Sequence, residues 1–208
     1  MDIPGSLTAQ LYLLAYDPRK ERVVTNYRFP YLLRAAALTD LLLIGRITDD
    51  GGKVRVVSED PLADPVLDGL LHQIAQSGPR PWRHWISKDG RATVRAVRDE
   101  LETGRWVRVE LRQPFLIFNR SCVRVRDTRV VKRLTTQVAT ALTGPVSRVG
   151  AREAALVGLA AAGELGTVLP RARRRAHKQR IALLSERGGP TAPALRKVIQ
   201  QARAGSGG

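Results

Sequence analysis

Residues 31 to 44 have the sequence YLLRAAALTDLLLI, in which Arg34 and Asp40 are the only charged side chains. Leucine and alanine occupy most of the other positions, and this density of apolar residues predicts a mostly buried helix. Gly45 follows at the position where glycine commonly ends a helix in a left-handed turn. The stretch therefore predicts a helix covered on most sides, with an arginine and an aspartate at or near the core.

Shorter elements are predicted on both sides of this helix. Residues 7–16 are mostly apolar and precede Asp17-Pro18, which indicates a short buried helix that ends in a turn. Residues 49–52 are Asp-Asp-Gly-Gly, and they separate residues 46–48 from the alternating residues 54–56, a pattern typical of a β-hairpin. Residues 65–75 predict another helix, which ends near Gly78.

The second half of the chain begins with a helix near Asp89 and continues with a strand pattern. Apolar and charged residues alternate in two arms between residues 106 and 125, as expected for a β-hairpin, and an apolar run from Phe115 to Phe118 lies between the arms. Residues 130–142 predict an amphipathic helix. Residues 152–169 predict a buried helix that includes Glu164 and is stopped by Pro170.

The charge of the chain favours an anionic partner. The 208 residues include 35 Lys and Arg against 19 Asp and Glu, a net charge of +16. Such an excess is typical of proteins that bind lipid headgroups or nucleic acid, and charge alone does not choose between them. From Arg171 onward the only acidic residue is Glu186, and the segment Arg171–Arg180 is especially basic.

Length and composition predict one domain that does not cross a membrane. A chain of 208 residues suits a single core, over residues 1–208, with residues 1–6 and 204–208 frayed. No apolar run reaches the roughly 18 residues that a spanning helix needs. The first residues lack a secretory pattern and Cys122 is the only cysteine, so we expect a cytoplasmic protein.

No pattern in the sequence points to catalysis, a metal or a cofactor. The three histidines, His72, His84 and His177, lack the close spacing of metal ligands on one helix. Glycine-rich phosphate loops and nucleophile turns are missing as well. Asp64 and Asp68 share a helix face, where such carboxylates are usually solvated. We therefore expect a protein that is not an enzyme and that uses no metal or cofactor.

An ordered series of short segments resembles the Golgi phosphoprotein 3 family. The resemblance covers about residues 7 to 142 and is weaker in the C-terminal helices. Its segments are Leu7-Thr8, Leu33-Arg34 with Leu41-Leu42-Leu43 and Gly45-Arg46-Ile47, Val66-Leu67-Asp68, Trp85-Ile86, residues 95–101 (RAVRDEL) and Phe115-Leu116-Ile117-Phe118. No single segment is specific for the family, whereas the order of the segments along the chain is.

The resemblance implies a fold and a function. It implies a mainly α fold, in which a single helical-bundle domain carries a projecting β-hairpin. It also implies a non-catalytic peripheral membrane protein at the cytoplasmic face of a membrane. Such a protein binds an anionic phospholipid headgroup, phosphatidylinositol 4-phosphate or a related lipid.

The resemblance also implies which residues bind the headgroup. The family pocket uses a tryptophan, an arginine on the following helix and a basic pair on a later helix. Arg34 matches the first arginine, and the tryptophan position falls on Thr25. Motif matching places the basic pair at Arg95 and Arg98, whereas an ungapped count places it at Ala92 and Arg95. Arg91, Arg95 and Arg98 are spaced three to four residues apart, so they form a basic stripe on one face of the predicted helix.

Each of these residues has a simpler interpretation. Arg34 could pair with a carboxylate such as Asp40, because lone charges on apolar helices are usually paired. Arg91, Arg95 and Arg98 could form a solvated helix face. The hairpin residues Phe115, Leu116, Ile117 and Phe118 are expected to insert into a membrane interface or to mediate self-association, and the alternative is that they are core residues.

Two other functions fit part of the sequence. A nucleic-acid-binding protein of winged-helix type would explain the charge and the basic segment Arg171–Arg180, although no clear helix-turn-helix is present. A scaffold that binds cytoplasmic tails of other proteins is a further alternative. Relatives are thought to use acidic surfaces for that role, and this composition lacks them.

Overall fold

The structure is a computed structural model that describes residues 3–112 and 120–205. Within these residues the chain forms ten α-helices and three small antiparallel sheets, so the predicted mainly α fold is confirmed. The helices are α1 (Leu7–Leu14), α2 (Phe29–Leu43), α3 (Pro65–Ala75), α4 (Trp82–Ser87), α5 (Gly90–Thr103), α6 (Thr128–Thr143), α7 (Ala151–Ala162), α8 (Arg171–Ala176), α9 (Lys178–Arg187) and α10 (Thr191–Ala204). A 3-10 turn, Val146–Arg148, lies between α6 and α7.

The helix α2 is the centre of the fold. It packs against α1, α3, α4, α5, α7 and α10, and its residues from Leu32 to Leu41 are all buried. Gly45 adopts φ 73°, and the Arg46 amide donates to the Leu41 carbonyl at 2.9 Å, which is the hydrogen bond of a Schellman cap. The predicted central helix and its glycine cap are therefore confirmed.

Short strands complete the fold at its edges. The strands are β1 (Tyr16–Asp17), β2 (Arg22–Val23), β3 (Ile47–Asp50), β4 (Lys53–Val56), β5 (Arg80–Pro81), β6 (Val107–Arg112) and β7 (Arg120–Val125). The predicted hairpin β3–β4 pairs Ile47 with Val56, and β5 adds a third strand that the sequence did not predict. The predicted hairpin β6–β7 pairs Val107 with Val125 at its buried base. Residues 115–118 lie outside the described residues.

The predicted helix over residues 152–169 is wrong at its C-terminal end. The helix α7 stops at Ala162, because Glu164 adopts a left-handed φ of 52° and the Leu165 amide donates to the Ala160 carbonyl. Val168 and Leu169 remain buried without being helical, so their apolar character reflects the core. Pro170 does not end this helix; it precedes α8.

The N-terminal residues that the structure describes are packed onto α1. Pro4 is buried and its carbonyl accepts a hydrogen bond from the Gln10 side chain at 2.8 Å. Ser6 caps α1 by accepting from the Ala9 amide. Pro4 and Ser6 are therefore hydrogen-bonded to α1, and the fraying that we expected over residues 1–6 stays a prediction.

We expect Glu100 on α5 to make stability depend on pH. Burial, together with the charges of Asp64 and Asp40, raises the pKa of Glu100 to about 7 from an ordinary value of 4.5. Its Oε2 atom is also buried and has no hydrogen-bond partner among the described residues. Because the folded state binds this proton more tightly, the stabilisation is complete below pH 4.5 and is lost as the pH rises to about 7.

Urea unfolding at both ends of this pH interval tests the effect. Glu100→Gln should lose less stability than the wild type as the pH rises, because its side chain does not titrate. Part of the dependence should remain, since burial also raises the pKa of Asp40, to about 6. Glu59→Gln changes an exposed glutamate and is the matched control. Identical pH dependences in Glu100→Gln and the wild type would contradict the prediction.

Candidate anion-binding site

Arg34 is a buried arginine that links four helices. It lies on α2, and only 3% of its surface is exposed. Its Nε donates to the Trp85 carbonyl of α4 at 3.0 Å and its Nη2 to Gln73 Oε1 of α3 at 3.2 Å. The Thr93 hydroxyl of α5 lies 3.5 Å from Nη1. Every acceptor around this guanidinium is therefore a neutral group.

No carboxylate in the described part of the chain forms an ion pair with Arg34. The alternative that Arg34 pairs with Asp40 is wrong, because Asp40 Oδ1 accepts from Arg152 Nη1 at 2.6 Å. A helix has about 3.6 residues per turn, so side chains six residues apart point to different sides. Arg34 thus faces α3, α4 and α5, whereas Asp40 faces α1 and α7.

The guanidinium remains a cation at neutral pH although it is buried. Burial lowers the pKa of Arg34 to about 10, and the charge of Asp89 opposes this shift. Buried charges are normally paired, because moving an unpaired ion out of water is costly. Neutral groups therefore orient the positive charge of Arg34. Asp89 stabilises this charge from a distance, and no carboxylate of the described residues forms an ion pair with it.

Three exposed basic side chains surround the same region, and we call Arg80, His84 and Lys88 the α4 basic surface. Burial lowers the pKa of His84, and the positive charges of Arg80, Lys88 and Arg34 lower it further, which places the four groups near one another. The Lys88 ammonium lies 5.5 Å from the centre of the Trp85 ring. None of the three forms an ion pair within residues 3–112 and 120–205.

Sequence reasoning did not identify the α4 basic surface as part of a site. The helix α4 has only six residues, which is too short for a periodic pattern to show. The close spacing of Arg80, Arg83, His84 and Lys88 around the two tryptophans was the available signal.

The basic stripe of α5 lies on a different side of that helix from the Arg34 contact. Arg34 meets Thr93, which shares the buried side of α5 with Val97 and Leu101. Arg91 and Arg95 are exposed and form no ion pair among the described residues. Arg98 is bound by Asp99, with 2.7 Å between Nη2 and Oδ1. The structure does not bring these three arginines into contact with Arg34, and their role in binding stays a prediction.

Thr25 is exposed in the loop between β2 and α2, close in sequence to an exposed aromatic residue. Tyr27 is 49% exposed, and the Arg28 guanidinium carbon lies 4.7 Å from its ring centre. The Tyr27 hydroxyl accepts from Nε of Arg203 and of Arg28, each at 3.1 Å, and these bonds lower the pKa of Tyr27. The loop therefore places an exposed aromatic ring two positions after Thr25, and two arginines donate to its hydroxyl group.

The described residues contain neither a candidate metal site nor a helix suited to crossing a membrane. No group of three or more histidine, cysteine, aspartate or glutamate side chains in residues 3–112 and 120–205 is arranged to hold a metal ion. In the same residues, no helix combines the length and apolar character that crossing a membrane requires.

Fold and site together define a class: a mainly helical, strongly basic protein with an unpaired buried arginine beside an exposed basic surface. A sequence model of the Golgi phosphoprotein 3 (GPP34) family matches residues 7–202. The chain therefore belongs to the Golgi phosphoprotein 3 family. A comparison with curated proteins finds no match.

Proposed function

We propose that this chain is a peripheral membrane protein that binds the phosphorylated headgroup of an anionic phospholipid. The ligand is phosphatidylinositol 4-phosphate or a related lipid at the cytoplasmic face of a membrane, and binding involves no catalysis. Membership of the Golgi phosphoprotein 3 family and the net charge of +16 both support this function.

The observation that carries the proposal is the unpaired guanidinium of Arg34. A phosphate group near this side chain would supply the missing negative charge and would accept charge-assisted hydrogen bonds from N–H groups that are already oriented. The guanidinium has hydrogen-bond acceptors, whereas the buried indole N–H of Trp85 has none in the described part of the chain. An anionic ligand with several oxygen acceptors suits both groups.

The α4 basic surface supplies attraction at longer range. Each Lys or Arg near an anionic membrane surface contributes about 1 kcal/mol. Lys88, Arg80 and the exposed Arg91 and Arg95 are basic residues close in sequence to the Trp85 backbone that holds Arg34. Insertion or self-association through Phe115 to Phe118 would add apolar binding energy and stays a prediction.

Co-flotation with liposomes tests the proposal. Arg80→Gln combined with Lys88→Gln should weaken binding to anionic liposomes by about thirtyfold, because it removes two charges that each contribute about 1 kcal/mol. Arg171→Gln with Arg175→Gln removes the same charge from exposed positions on α8 and should bind nearly as well as the wild type. Arg34→Ala with Arg95→Ala should weaken binding further, and circular dichroism checks that this variant is folded.

The same experiment measures headgroup preference when the liposomes contain graded amounts of anionic lipid, with and without phosphatidylinositol 4-phosphate. A duplex DNA competitor at about 150 mM salt separates the lipid function from the nucleic-acid alternative. Flotation that persists with DNA present and falls in the α4 variant supports the proposal. Equal losses in the α4 and α8 variants, or tight DNA binding without flotation, would contradict it.

A further inference from the structure

A cavity of about 800 Å³ shares no lining residue with the Arg34 site. It is bounded by α6, by residues 144–149 and by the first turn of α7, and Ile3 lies at its edge. This volume falls in the range of about 300–1,000 Å³ that small-molecule sites occupy. The size of the cavity therefore permits a ligand of lipid or cofactor dimensions.

One part of the cavity wall is apolar. Ile3, Ala141, Pro145 and Val149 line it, and Ala141 and Val149 belong to the buried core. Burying apolar surface against such a wall contributes roughly 25 cal/mol per Å², so it favours a hydrocarbon chain over a polar ligand.

Another part of the wall is basic. Lys132, Arg133 and Arg148 line the cavity and are exposed, and none of their side chains forms an ion pair or a hydrogen bond within the described residues. Arg129 also lines it, but Asp127 binds its guanidinium at 2.6 Å. Three unpaired cations beside an apolar wall suit a ligand that has both a chain and an anionic group.

Glu153 is the one carboxylate of the described lining, and it is engaged elsewhere. It lies in the first turn of α7, with its carboxylate folded against Gly150 at the helix N-terminus. The partial positive charge of a helix N-terminus stabilises a carboxylate in this position. Glu153 makes no ion pair with Lys132, Arg133 or Arg148, so it leaves their charges available.

We propose that the cavity binds a single-chain anionic lipid with a phosphate headgroup, as in a lysophosphatidic acid. The acyl chain packs along Ala141, Pro145 and Val149. The phosphate accepts hydrogen bonds from Lys132, Arg133 and Arg148. This site is independent of the headgroup site at Arg34 and requires no membrane.

Calorimetric titration with oleoyl lysophosphatidic acid, below its micelle concentration, tests the site. We expect saturable binding to one site, about tenfold or more tighter than oleoyl lysophosphatidylcholine, whose headgroup has no net charge. Glycerol 3-phosphate should bind more weakly still, because it lacks the chain. Arg133→Gln with Arg148→Gln should weaken binding of the lipid by about tenfold or more. Thr140→Trp should abolish it, since Thr140 is exposed on the cavity wall.

A double variant outside both sites is the control. Arg171→Gln with Arg175→Gln lowers the net charge equally and should bind oleoyl lysophosphatidic acid like the wild type. The proposal is overturned if the two lysolipids bind equally well, or if the Arg133/Arg148 variant binds as tightly as the control variant. Circular dichroism confirms that each variant is folded.

Discussion

Replacing Asp40 by alanine is expected to lower the free energy of unfolding by about 3–5 kcal/mol. Only 1% of Asp40 is exposed. Its Oδ1 accepts from Arg152 Nη1 at 2.6 Å, and its Oδ2 accepts from the Leu7 amide at 2.7 Å, at the start of α1. The substitution leaves the Leu7 amide without this acceptor, and it leaves the Arg152 guanidinium, which is 35% exposed, with the Gly5 carbonyl as its remaining acceptor among the described residues. Asp40 therefore joins α1, α2 and α7.

Urea denaturation of paired variants measures this effect. Asp60→Ala is a matched control, because Asp60 also accepts from an arginine at 2.6 Å but is 75% exposed in its side chain. Exposed ion pairs contribute at most about 1 kcal/mol, so this control should lose little stability. Similar losses in the two variants would show that the buried network contributes no more than a surface pair.

Trp85→Ala should also destabilise the protein strongly, by about 3–5 kcal/mol. Trp85 is completely buried in α4, and its carbonyl holds Arg34. Removing the ring leaves a cavity between α4 and the helices around it. Trp85→Phe should lower the free energy of unfolding much less than Trp85→Ala. The indole N–H has no hydrogen-bond partner among the described residues, so its loss breaks no hydrogen bond.

Thermal and urea unfolding of Trp85→Phe and Trp85→Ala would compare these costs. If phenylalanine is as destabilising as alanine, the indole N–H must have a partner, and the binding argument from that group fails. If phenylalanine is nearly neutral, Trp85→Phe becomes a folded variant for the flotation experiment. It would then show whether the free indole N–H contributes to headgroup binding.

Regular elements were predicted well where one local pattern specifies them. The helix α3 has the bounds that its apolar spacing predicted, because Asp64 caps it and Pro65 begins it. The hairpin β3–β4 follows from its two-residue Gly-Gly turn, in which Gly51 and Gly52 both adopt positive φ. In each case a few adjacent residues contain the whole signal.

Predictions were less accurate where the core overrides local pattern. The apolar residues after Ala162 suggested a longer α7, but a left-handed turn at Glu164 sends them into the core without a helix. The six-residue helix α4 has no periodic pattern, so the basic side chains around it were not assigned to the site. Burial alone explains the apolar residues in both segments.

The sequence by itself determined the helical class, the family and the positive charge, and it indicated Arg34 as a candidate headgroup-binding residue. These properties depend on composition, on local periodicity and on the order of short segments. Only the tertiary structure decided which charges meet. Asp40 pairs with Arg152, 112 residues away, and this leaves Arg34 among neutral acceptors. Ion pairing depends on which side chains the packed helices bring within a few ångströms of each other, and no local pattern along the chain records those distances.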